Sequence, residues 1–382
     1  MGTVTGRKIV VTGAAGLLGW HAAARLHAAN CMARYRSEPE PYDLSLLTHE
    51  VFGDDTKRDA AISGAEVILH FAGVNRGDET EVEAANPAIA RQLAKSILRT
   101  DAKPQVVYAN STHAEYDTPY GRSKRGAAEI LERAASGFTN LILPHIFGEC
   151  ARPFYNNVTA TLIEQIWRGD EPSINPEGKV SLLHAGQAAS IAISHGLARR
   201  SETVKPAGRD MAVTALYEKL IAFHNAYQSN IFPDLTDPFD LALFNSYRTG
   251  GYPHHYPMQL KLNSDARGGL FESSKSLAGS QTFLSTTLPG QRRGDHFHTD
   301  LIERFLVVSG SATIRIRKVL TDTVHSFNVS GDEPVAIDMP PLHTHHIENT
   351  GTGDVVTFFW AHRLFDPTNP DTFADPVIEK ST

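Results

Sequence analysis

The stretch KIVVTGAAGLLG, residues 8–19, determines how the first half of the chain folds. Its apolar start predicts a strand from Lys8 to Thr12, glycines then recur at every third position, and a helix is predicted from Leu17 to Ala29. Glycines permit a tight turn that lets backbone amides approach a pyrophosphate, and the N-terminus of a helix favours negative charge. Glycines that only form a turn are the alternative, but the flanking strand and helix favour a dinucleotide. The predicted cofactor contacts are Gly13, Gly16, Leu17, Leu18 and Gly19.

The chain is predicted to form two domains, which its length of 382 residues also favours. Residues 1–248 alternate short β-branched runs with Ala-rich helical stretches, which predicts an α/β Rossmann-like fold around a parallel sheet. Residues 249–382 contain short strands separated by turn signals, such as the alternating stretch Thr313–Arg317. The boundary is predicted near Thr249. The further strands predicted in the first domain are Val67–Gly73, Gln105–Ser111 and Leu141–Phe147, and its further helices are Val82–Leu98, Arg122–Ala135 and Met211–Tyr227.

Composition argues against several classes of protein. The formal net charge is −7 and no run of Lys and Arg offsets it, so a nucleic-acid partner is not expected. The two cysteines, Cys31 and Cys150, are too few for a disulfide framework and fit a reducing compartment. The first eight residues carry no apolar signal core and no run of about 18 apolar residues occurs, so neither secretion nor membrane insertion is expected. We therefore expect a cytoplasmic protein.

The residues assigned to the end of the second strand indicate which dinucleotide is bound. In NAD-binding sheets an acidic residue near this point holds the ribose 2′-hydroxyl. This chain has Arg34 and Arg36 after Cys31–Ala33, and guanidinium groups suit a 2′-phosphate. The sequence therefore predicts NADP, bound in part by these two arginines. Arginines that are merely solvated are the alternative.

Three motifs resemble the extended short-chain dehydrogenase/reductase family. The glycine spacing is Gly-x-x-Gly-x-x-Gly, His70–Gly73 is similar to a strand segment that lines the cofactor, and Tyr120–Lys124 is similar to the family's Tyr-x-x-x-Lys pair. Tyr and Lys four residues apart share one helix face, where the ammonium can lower the pKa of the phenol and the phenol can exchange a proton with the substrate. This resemblance implies the cofactor contacts Ala72, Gly73, Tyr120 and Lys124 and the catalytic residues Tyr120, Lys124 and Ser111 or, failing that, Thr112.

The segment Ser111–Ala114 argues against dehydration. Sugar-nucleotide dehydratases of this family carry an Asp-Glu pair directly after the Ser or Thr, whereas this chain continues with His113 and Ala114. Ser111 and Thr112 also lie where a strand gives way to a turn, so a capping role for one of them is the alternative to a catalytic one. Reduction or epimerisation through a 4-keto sugar is therefore predicted.

A second set of motifs resembles the cupin family and implies an all-β jelly-roll domain. Gly290, His296, His298, Glu303 and Gly310 match every position of the first cupin motif, and Pro340, His345 and Asn349 match the second. Histidines two residues apart on a strand share one face, and three imidazoles with one carboxylate suit Zn²⁺ or another divalent ion. A surface pair of histidines is the alternative reading of a lone His-x-His. The predicted metal ligands are His296, His298, Glu303 and His345.

The second cupin motif departs from its pattern at one position. Leu342 replaces a glycine, so the turn before His345 is expected to be altered. His343 and His346 flank the predicted ligand and could substitute for it. Before the first motif, residues 265–272 resemble the Arg-Gly segment by which cupin-fold epimerases hold a nucleotide, which implies substrate contacts through Arg267, Glu272 and Gln281. A turn with an exposed arginine is the alternative.

A short-chain reductase followed by a cupin resembles the capsule and O-antigen enzymes of the CapF/WbjC type over nearly the full length. Further similar stretches are Ala72–Arg76, Arg152–Val158, Phe305–Gly310 and Phe365–Thr372. The resemblance implies a bifunctional enzyme and a homodimer. The cupin epimerises a UDP-2-acetamido-2,6-dideoxy-4-hexulose at C3 and the reductase transfers hydride from NADPH to C4, towards UDP-6-deoxy-L-talosamine and N-acetyl-L-fucosamine. The implied substrate contacts in the first domain are Asn75, Arg76, Tyr155 and Asn156.

Two segments depart from that family. Pro144–Gly148 has His145 where the family has Asn, and Leu183–Gln187 stands where the family has a Val-Asp-Asp segment. Both lie in the substrate half of the reductase, so another 4-keto sugar nucleotide and a non-catalytic, dimerising cupin are the alternative. A protein that only senses these ligands is disfavoured by the intact pair of Tyr120 and Lys124.

Overall fold

The computed structural model describes residues 6–260, 263–265, 268–270, 274–276, 280–363, 366 and 368–378. Of the predicted substrate contacts, Arg267 and Glu272 lie outside these residues, and Gln281 is described only as the first residue of a strand. Residue contacts divide the chain into two units, Met1–Leu162 with Ser173–Leu216 and Ile163–Pro172 with Tyr217–Thr382. In this division, residues 217–248 belong to the same unit as the C-terminal strands. The domain boundary near Thr249 is instead placed where the sequence pattern changes, and it stays a prediction.

The first unit is built from alternating strands and helices. Its strands are β1 (Arg7–Thr12), β2 (Tyr42–Leu47), β3 (Val67–His70), β4 (Gln105–Ser111), β5 (Gly137–Leu143), β6 (His145–Phe147), β7 (Lys179–His184), β8 (Glu202–Val204) and β9 (Arg209–Ala212). The helices up to residue 228 are α1 (Leu17–Tyr35), α2 (His49–Gly53), α3 (Asp55–Ile62), α4 (Glu79–Arg99), α5 (Pro119–Ala134), α6 (Val158–Arg168), α7 (Ala185–Leu197) and α8 (Val213–Gln228). A 3-10 helix, Thr112–Glu115, follows β4.

A six-stranded parallel sheet in the order β2-β1-β3-β4-β5-β8 forms the centre of this unit. Successive residues of β1 point to opposite faces. Ile9 and Val11 pack with apolar residues of α1 and α7, whereas Val10 packs with those of α4 and α5. Because both faces are covered by helices, this is the predicted doubly wound α/β fold. A smaller sheet, in the order β6-β7-β9, completes the unit.

The segment between β1 and β2 differs from the prediction. Residues Cys31–Ala33 do not form a strand, because α1 continues through them as far as Tyr35. Cys31 and Ala33 are buried on that helix. The second strand is Tyr42–Leu47, in which Tyr, Leu and Leu alternate with Asp and Ser as expected for period two.

The second unit is a sandwich of antiparallel sheets. It contains α9 (Pro238–Gly250) and the strands β10 (Ile231–Phe232), β11 (Met258–Gln259), β12 (Asn263–Asp265), β13 (Gly268–Leu270), β14 (Lys275–Ser276), β15 (Gln281–Thr287), β16 (Arg292–Phe297), β17 (Glu303–Ser309), β18 (Ser311–Lys318), β19 (Val324–Ser330), β20 (Val335–Met339), β21 (His343–Asn349), β22 (Val355–Ala361) and β23 (Phe373–Ala374). The two main sheets have the orders β11-β20-β17-β22-β15 and β19-β18-β21-β16-β23.

One hydrophobic core joins these two sheets. Phe305 and Ile337 from the first sheet pack with Ile314 and Ile347 from the second. Apolar residues that alternate along each strand therefore face the inside of a sandwich, and the predicted cupin-like all-β fold is confirmed. Within the described residues, the structure has no helix of sufficient length and apolar character to span a membrane.

Candidate active site and metal centre

The glycine turn after β1 is shaped by close backbone contacts. Gly13 adopts a φ of +64°, and a Cβ atom on it would lie 2.7 Å from the amide nitrogen of Ala72. A Cβ atom on Gly19 would lie 2.1 Å from the carbonyl oxygen of Gly13. Gly16 precedes the first residue of α1 and has no side chain that could cover the helix amides. Leu17 and Leu18 therefore present their amides beside the turn, where they can bind an anion such as a pyrophosphate.

Thr12 connects the ends of β1 and β3 at the same edge of the sheet. Its hydroxyl lies 2.7 Å from Nδ1 of His70 and accepts a hydrogen bond of 3.2 Å from the amide of Ala72. Burial lowers the pKa of His70 to about 3, so the ring is neutral. A Cβ atom on Gly73 would meet Oδ1 of Asn86 at 2.8 Å. The predicted cofactor contacts Ala72 and Gly73 are thereby held close to the glycine turn.

Asn86 on α4 is a residue that the sequence did not identify. Its Oδ1 accepts a hydrogen bond of 2.9 Å from the amide of Val74, and its Nδ2 donates to Oγ of Ser123 at 2.9 Å. Ser123 lies in α5 between Tyr120 and Lys124, so Asn86 joins the loop after β3 to the helix that carries this pair. No local pattern marks Asn86, because its partners are 12 and 37 residues away.

Helix α5 places Tyr120 and Lys124 beside the end of β4. Thr118 caps this helix by accepting a hydrogen bond of 3.0 Å from the amide of Gly121. A Cβ atom on Gly121 would lie only 2.4 Å from a carbonyl oxygen of the 3-10 helix Thr112–Glu115. The glycine therefore allows the first turn of α5 to pack directly against the segment that follows Ser111.

Tyr120 lies near Ser111. Burial raises the pKa of Tyr120, and the Ser111 hydroxyl acts in the opposite direction. Oγ of Ser111 also accepts a hydrogen bond of 3.2 Å from the amide of His113 and so caps the 3-10 helix. Of the two predicted hydroxyls, the structure brings Ser111 to the tyrosine, whereas Thr112 is the first residue of the 3-10 helix.

Lys124 is buried against β4. Its Nζ donates a hydrogen bond of 2.5 Å to the carbonyl oxygen of Ala109 and lies 4.2 Å from the ring centre of Tyr108. Burial lowers the pKa of Lys124 to about 7. Burial and Ser111 are the causes that act on the pKa of Tyr120 in this structure, and the ammonium of Lys124 bonds to the Ala109 carbonyl. The expectation that Lys124 lowers the pKa of Tyr120 stays a prediction.

The predicted position of Arg34 and Arg36 at the end of the second strand is wrong. Arg34 lies in the last turn of α1 and Arg36 directly follows this helix. Nη1 of Arg34 donates to Oε1 of Glu40 at 2.7 Å, and its Nη2 donates to Sγ of Cys31 at 3.0 Å. The prediction assumed that α1 stops near Ala29. Because α1 continues to its full length, both arginines stand at the opposite end of the helix from the glycine turn.

The residues that do follow the second strand are Thr48 and His49. The last residue of β2, Leu47, is in register with Thr12, and its carbonyl oxygen accepts a hydrogen bond of 3.3 Å from the amide of Ala14. The carboxyl end of β2 therefore lies beside the glycine turn. Thr48 and His49 are both exposed there, and neither is acidic.

The loops after β3 and β6 carry four predicted substrate contacts, Asn75, Arg76, Tyr155 and Asn156. Nη1 of Arg76 donates a hydrogen bond of 2.6 Å to the carbonyl oxygen of Phe154, so the two loops meet. The guanidinium carbon of Arg152 lies 4.9 Å from the ring centre of Tyr155. All four predicted contacts are exposed and free to meet a ligand from solvent.

The four predicted metal ligands converge inside the second unit. His296 lies in β16 and His298 directly follows this strand, whereas Glu303 begins β17 and His345 lies in β21. One donor atom of each residue lies within 4.8 Å of the others. Nε2 of His298 lies 2.9 Å and Nε2 of His345 lies 3.5 Å from Oε2 of Glu303.

Hydrogen bonds behind two of these rings direct their Nε2 atoms to the centre of the cluster. Nδ1 of His298 donates to the carbonyl oxygen of Asp371 at 2.6 Å, and Nδ1 of His345 donates to that of His343 at 3.2 Å. Nε2 of His345 is buried and has no hydrogen-bond partner within the part of the chain that the structure describes. A divalent ion would satisfy this nitrogen, and three imidazoles with a carboxylate are a donor set for Zn²⁺. The residues therefore fit a metal.

The electrostatics of the cluster also fit a cation. Burial lowers the pKa of His296 to about 3 and lowers that of His345. Burial alone would raise the pKa of Glu303, but the charge and hydrogen bond of His298 hold it well below its usual value. For His298, burial lowers the pKa but Glu303 outweighs this effect and raises it. These shifts favour neutral rings at His296 and His345 and an ionised carboxylate at Glu303, which are the forms that would hold a divalent cation.

The histidines that flank His345 have other partners. Nδ1 of His343 donates to the carbonyl oxygen of Pro341 at 2.9 Å, and Nδ1 of His346 lies 2.7 Å from Oδ1 of Asp295. Leu342 adopts a φ of +58°, so it has the left-handed backbone that the motif's glycine would take. Of the three histidines, the structure brings His345 to the cluster.

A second buried cluster consists of His21, Glu149 and His184 in the first unit. Nε2 of His184 donates to Oε2 of Glu149 at 2.8 Å, and Nε2 of His21 donates to the carbonyl oxygen of Glu149 at 3.2 Å. Because these bonds satisfy the nitrogens that face the carboxylate, the cluster needs no metal. A Cβ atom on Gly186 would meet Nη2 of Arg25 at 2.1 Å, so a larger residue at this point of the segment Leu183–Gln187 would require the arginine side chain to move.

Two parts of the chain match models of known protein families. Residues 9–193 match the model of the NAD dependent epimerase/dehydratase family, and residues 263–373 match the model of the polysaccharide biosynthesis C-terminal domain. The chain thus has an N-terminal part similar to the epimerase/dehydratase family and a C-terminal part similar to a domain of polysaccharide biosynthesis.

The full-length comparisons are more specific. The UDP-2-acetamido-2,6-beta-L-arabino-hexul-4-ose reductase of Pseudomonas aeruginosa is 28% identical over 381 residues, which cover 97% of this chain and 99% of that protein. The crystal structure of the capsular polysaccharide assembling protein CapF from Staphylococcus aureus is 27% identical, with a TM-score of 0.58, and covers 97% of this chain and 100% of CapF. A structure of CapF with the inhibitor 3-isopropenyl-tropolone is 25% identical, with a TM-score of 0.53, over 97% of this chain and 99% of that one. The predicted resemblance to the CapF/WbjC type is confirmed.

Proposed function

We propose that this chain is an NADPH-dependent reductase of a UDP-linked 4-keto sugar whose C-terminal cupin epimerises the same sugar at C3. One observation carries the reductase proposal. Tyr120, which lies near Ser111, stands on the helix that also carries Lys124, at the sheet edge where β1 ends in the glycine turn. The similarity to the UDP-2-acetamido-2,6-beta-L-arabino-hexul-4-ose reductase of Pseudomonas aeruginosa supports a UDP-linked 4-keto sugar, and we propose UDP-2-acetamido-2,6-dideoxy-4-hexulose as the substrate.

In the reduction, Tyr120 donates its phenolic proton to the ketone oxygen at C4. A reduced nicotinamide, when bound, supplies the hydride for C4. Burial keeps Tyr120 protonated at neutral pH, and the Ser111 hydroxyl holds the phenol in position. Lys124, fixed by the carbonyl of Ala109, is the residue we assign to the ribose of the cofactor.

We propose NADPH rather than NADH because of the residues that follow β2. The carboxyl end of β2 lies beside the glycine turn and continues with Thr48 and His49, where NAD-specific sheets place an acid. A hydroxyl and an imidazole can donate hydrogen bonds to a 2′-phosphate, whereas a carboxylate would repel it. We therefore assign the 2′-phosphate to these two residues in place of Arg34 and Arg36.

For the epimerisation, the C3 proton is acidic because it lies next to the C4 ketone. His296, His298, Glu303 and His345 would hold a divalent ion, most simply Zn²⁺. Such an ion, when bound, stabilises negative charge on an enolate oxygen. Reduction of the ketone then fixes the new configuration, because the C3 proton is no longer activated. We further propose that Asn75, Arg76, Tyr155 and Asn156 contact the substrate, and that the protein is a cytoplasmic homodimer.

The test is oxidation of NADPH by the purified chain against a panel of 4-keto sugar nucleotides that differ at C2, C3 and the nucleotide. We expect the UDP-2-acetamido-2,6-dideoxy sugar to be consumed fastest, with exchange of its C3 proton. Turnover of a different ketone without C3 exchange would instead support a reductase with a non-catalytic, dimerising cupin. No turnover of any member of the panel would refute the reductase proposal.

A further inference from the structure

The C-terminal segment around Asp371 contacts the proposed metal centre. The sequence marks residues 365–372 as similar to the CapF/WbjC type but assigns them no role. Asp371 is only 6% exposed although it is charged. A buried carboxylate requires hydrogen-bond partners, and the partners of this one lie between two proposed ligands.

The backbone of Asp371 orients one ligand directly. Its carbonyl oxygen accepts the hydrogen bond of 2.6 Å from Nδ1 of His298. This bond fixes the proton on Nδ1 and turns the ring so that Nε2 faces Glu303. A carbonyl behind a metal-ligating imidazole commonly sets its tautomer and orientation.

The side chain of Asp371 holds the loop between His298 and Glu303. Oδ1 accepts hydrogen bonds from the amide of Thr299 at 2.9 Å and from its hydroxyl at 2.7 Å. Oδ2 accepts from the amides of Asp300 and Leu301 at 3.1 and 2.8 Å. A guanidinium nitrogen of Arg363 donates a further bond of 3.0 Å to Oδ2. One carboxylate thus satisfies three successive loop amides.

The residues beyond Asp371 fasten the segment to the strands that carry the ligands. Asp375 pairs with Arg317 of β18 at 3.2 Å, and its carbonyl oxygen accepts a hydrogen bond from Thr344, the residue before His345. The amide of Asp375 donates to the carbonyl oxygen of Asp295 at 2.9 Å. Asp371 is therefore anchored on the same strands as the cluster and is not a loose tail residue.

We propose that Asp371 is a positioning residue of the metal centre, in which its carbonyl oxygen orients His298 and its carboxylate fixes the loop that spaces His298 from Glu303. This inference rests on the proposed metal site. With both elements fixed in advance, the ligands do not have to reorganise when the ion binds. Without the carboxylate, three amides lose their acceptor and the loop can move His298 away from Glu303.

The experiment compares metal binding by the full-length wild type and the Asp371→Asn variant. Zn²⁺ affinity is measured by competition with a chromophoric chelator, and the visible spectrum of the Co²⁺-loaded protein reports the ligand geometry. We expect Asp371→Asn to weaken Zn²⁺ binding by about 10- to 100-fold, the range usual for partners of metal ligands, and to change the Co²⁺ spectrum. Asp366→Asn is the matched control, because Asp366 lies in the same segment but its carboxylate, within the described residues, accepts hydrogen bonds from the neighbouring Thr368 and Asn369.

A second, more conservative variant tests the inference if Asp371→Asn does not fold. Thr299→Val keeps the side-chain shape and removes the hydroxyl bond to Oδ1, so a smaller loss of affinity with an intact circular dichroism spectrum is expected. Wild-type affinity and spectrum in Asp371→Asn, or in Thr299→Val if the first variant does not fold, would overturn the inference while leaving the metal site in place. If the wild type itself binds no Zn²⁺ or Co²⁺, the proposed metal site fails and this inference fails with it.

Discussion

Arg34 donates a hydrogen bond of 2.7 Å to Glu40, which places its guanidinium at the C-terminal end of α1. A helix of 19 residues is about 28 Å long, so this arginine is far from the amides that follow the glycine turn. The carboxyl end of β2 is instead hydrogen-bonded to the turn through Leu47 and Ala14. We therefore expect the residues that follow Leu47 to discriminate between the two dinucleotides.

His49→Asp is expected to reverse the cofactor preference. A carboxylate next to the 2′-phosphate of NADPH would cost about 1–4 kcal/mol, which weakens NADPH binding by roughly fivefold or more, whereas it can accept a hydrogen bond from the 2′-hydroxyl of NADH. Dissociation constants for both dinucleotides, measured by fluorescence titration, check this result. Arg34→Ala is the control and should change neither constant by more than about twofold. A selective loss of NADPH affinity in Arg34→Ala, with no change in His49→Asp, would contradict the assignment.

Tyr120→Phe is expected to slow reduction by about two or more orders of magnitude, because the ketone oxygen loses its proton donor. The ring remains, so the dissociation constant of NADPH should stay within a few-fold of the wild type. Single-turnover absorbance measurements separate these two quantities. Tyr116→Phe is the matched control, since Tyr116 is 60% exposed on the neighbouring turn. Equal rates for the two variants would remove Tyr120 from the mechanism.

The glycine turn could be predicted from the local sequence, whereas the positions of Arg34 and Arg36 could not. Residues 8–19 contain the strand, the three glycines and the start of the helix. Gly13 and Gly19 lie so close together that a Cβ atom on Gly19 would overlap the backbone of Gly13. The length of α1, in contrast, depends on the burial of Cys31 and Ala33 against the rest of the unit. The same residues would suit a strand, and only tertiary packing decides between the two.

For the proposed metal centre, too, some residues could be predicted from local spacing and others depend on the fold. The spacing of His296, His298 and Glu303 was sufficient to predict their convergence, because neighbours on one strand and the next turn are close in space. The choice of His345 among three nearby histidines came from the resemblance to the second cupin motif, because local physics does not say which face of β21 is turned to the core. Asn86 and Glu149 were missed because their partners are brought together only by the fold.

His345→Ala is expected to lower Zn²⁺ occupancy from about one ion per chain to well below half, because one of four ligands and its buried nitrogen are lost. His346→Ala should keep full occupancy, since Nδ1 of His346 faces Asp295 on the other side of β21. Elemental analysis of both proteins, purified without chelators, gives the result. Full occupancy in His345→Ala, or its loss in His346→Ala alone, would mean that the wrong histidine has been assigned.

The buried His21 is expected to make the protein less stable as the pH falls from 7 to 5. Burial lowers its pKa from 6.5 to about 3, so below pH 6.5 the unfolded chain binds a proton that the folded chain does not. Folding is then disfavoured by up to about 1.4 kcal/mol per pH unit for this group. In His21→Gln this contribution is absent, and the free energy of unfolding should depend less on pH.

The measurement is urea unfolding at pH 7, 6 and 5, above the range in which most carboxylates titrate. His254→Gln, at an exposed position, is the control and should keep the wild-type dependence on pH. An unchanged dependence in His21→Gln would show that His21 takes up its proton equally in the folded chain.

The last prediction is that reduction and epimerisation can be lost one at a time. Tyr120 and its partner Ser111 lie in the first unit, whereas the four proposed metal ligands all lie in the second. The two sites therefore have only the soluble keto sugar in common. Tyr120→Phe should stop the consumption of NADPH but leave the entry of solvent deuterium at C3 of the ketone. His298→Ala should stop this exchange, because the metal site is weakened, while a ketone that is already epimerised is still reduced.

Mass spectrometry of the sugar after incubation in deuterated water, beside the absorbance of NADPH, reports both steps on one sample. The direction of each effect follows from the chemistry of the lost group. A phenol that protonates the C4 oxygen is not needed for removal of the C3 proton if the enolate is stabilised in the other unit. Loss of C3 exchange in Tyr120→Phe would place both steps at one site in the first unit, and the cupin would then be a structural partner.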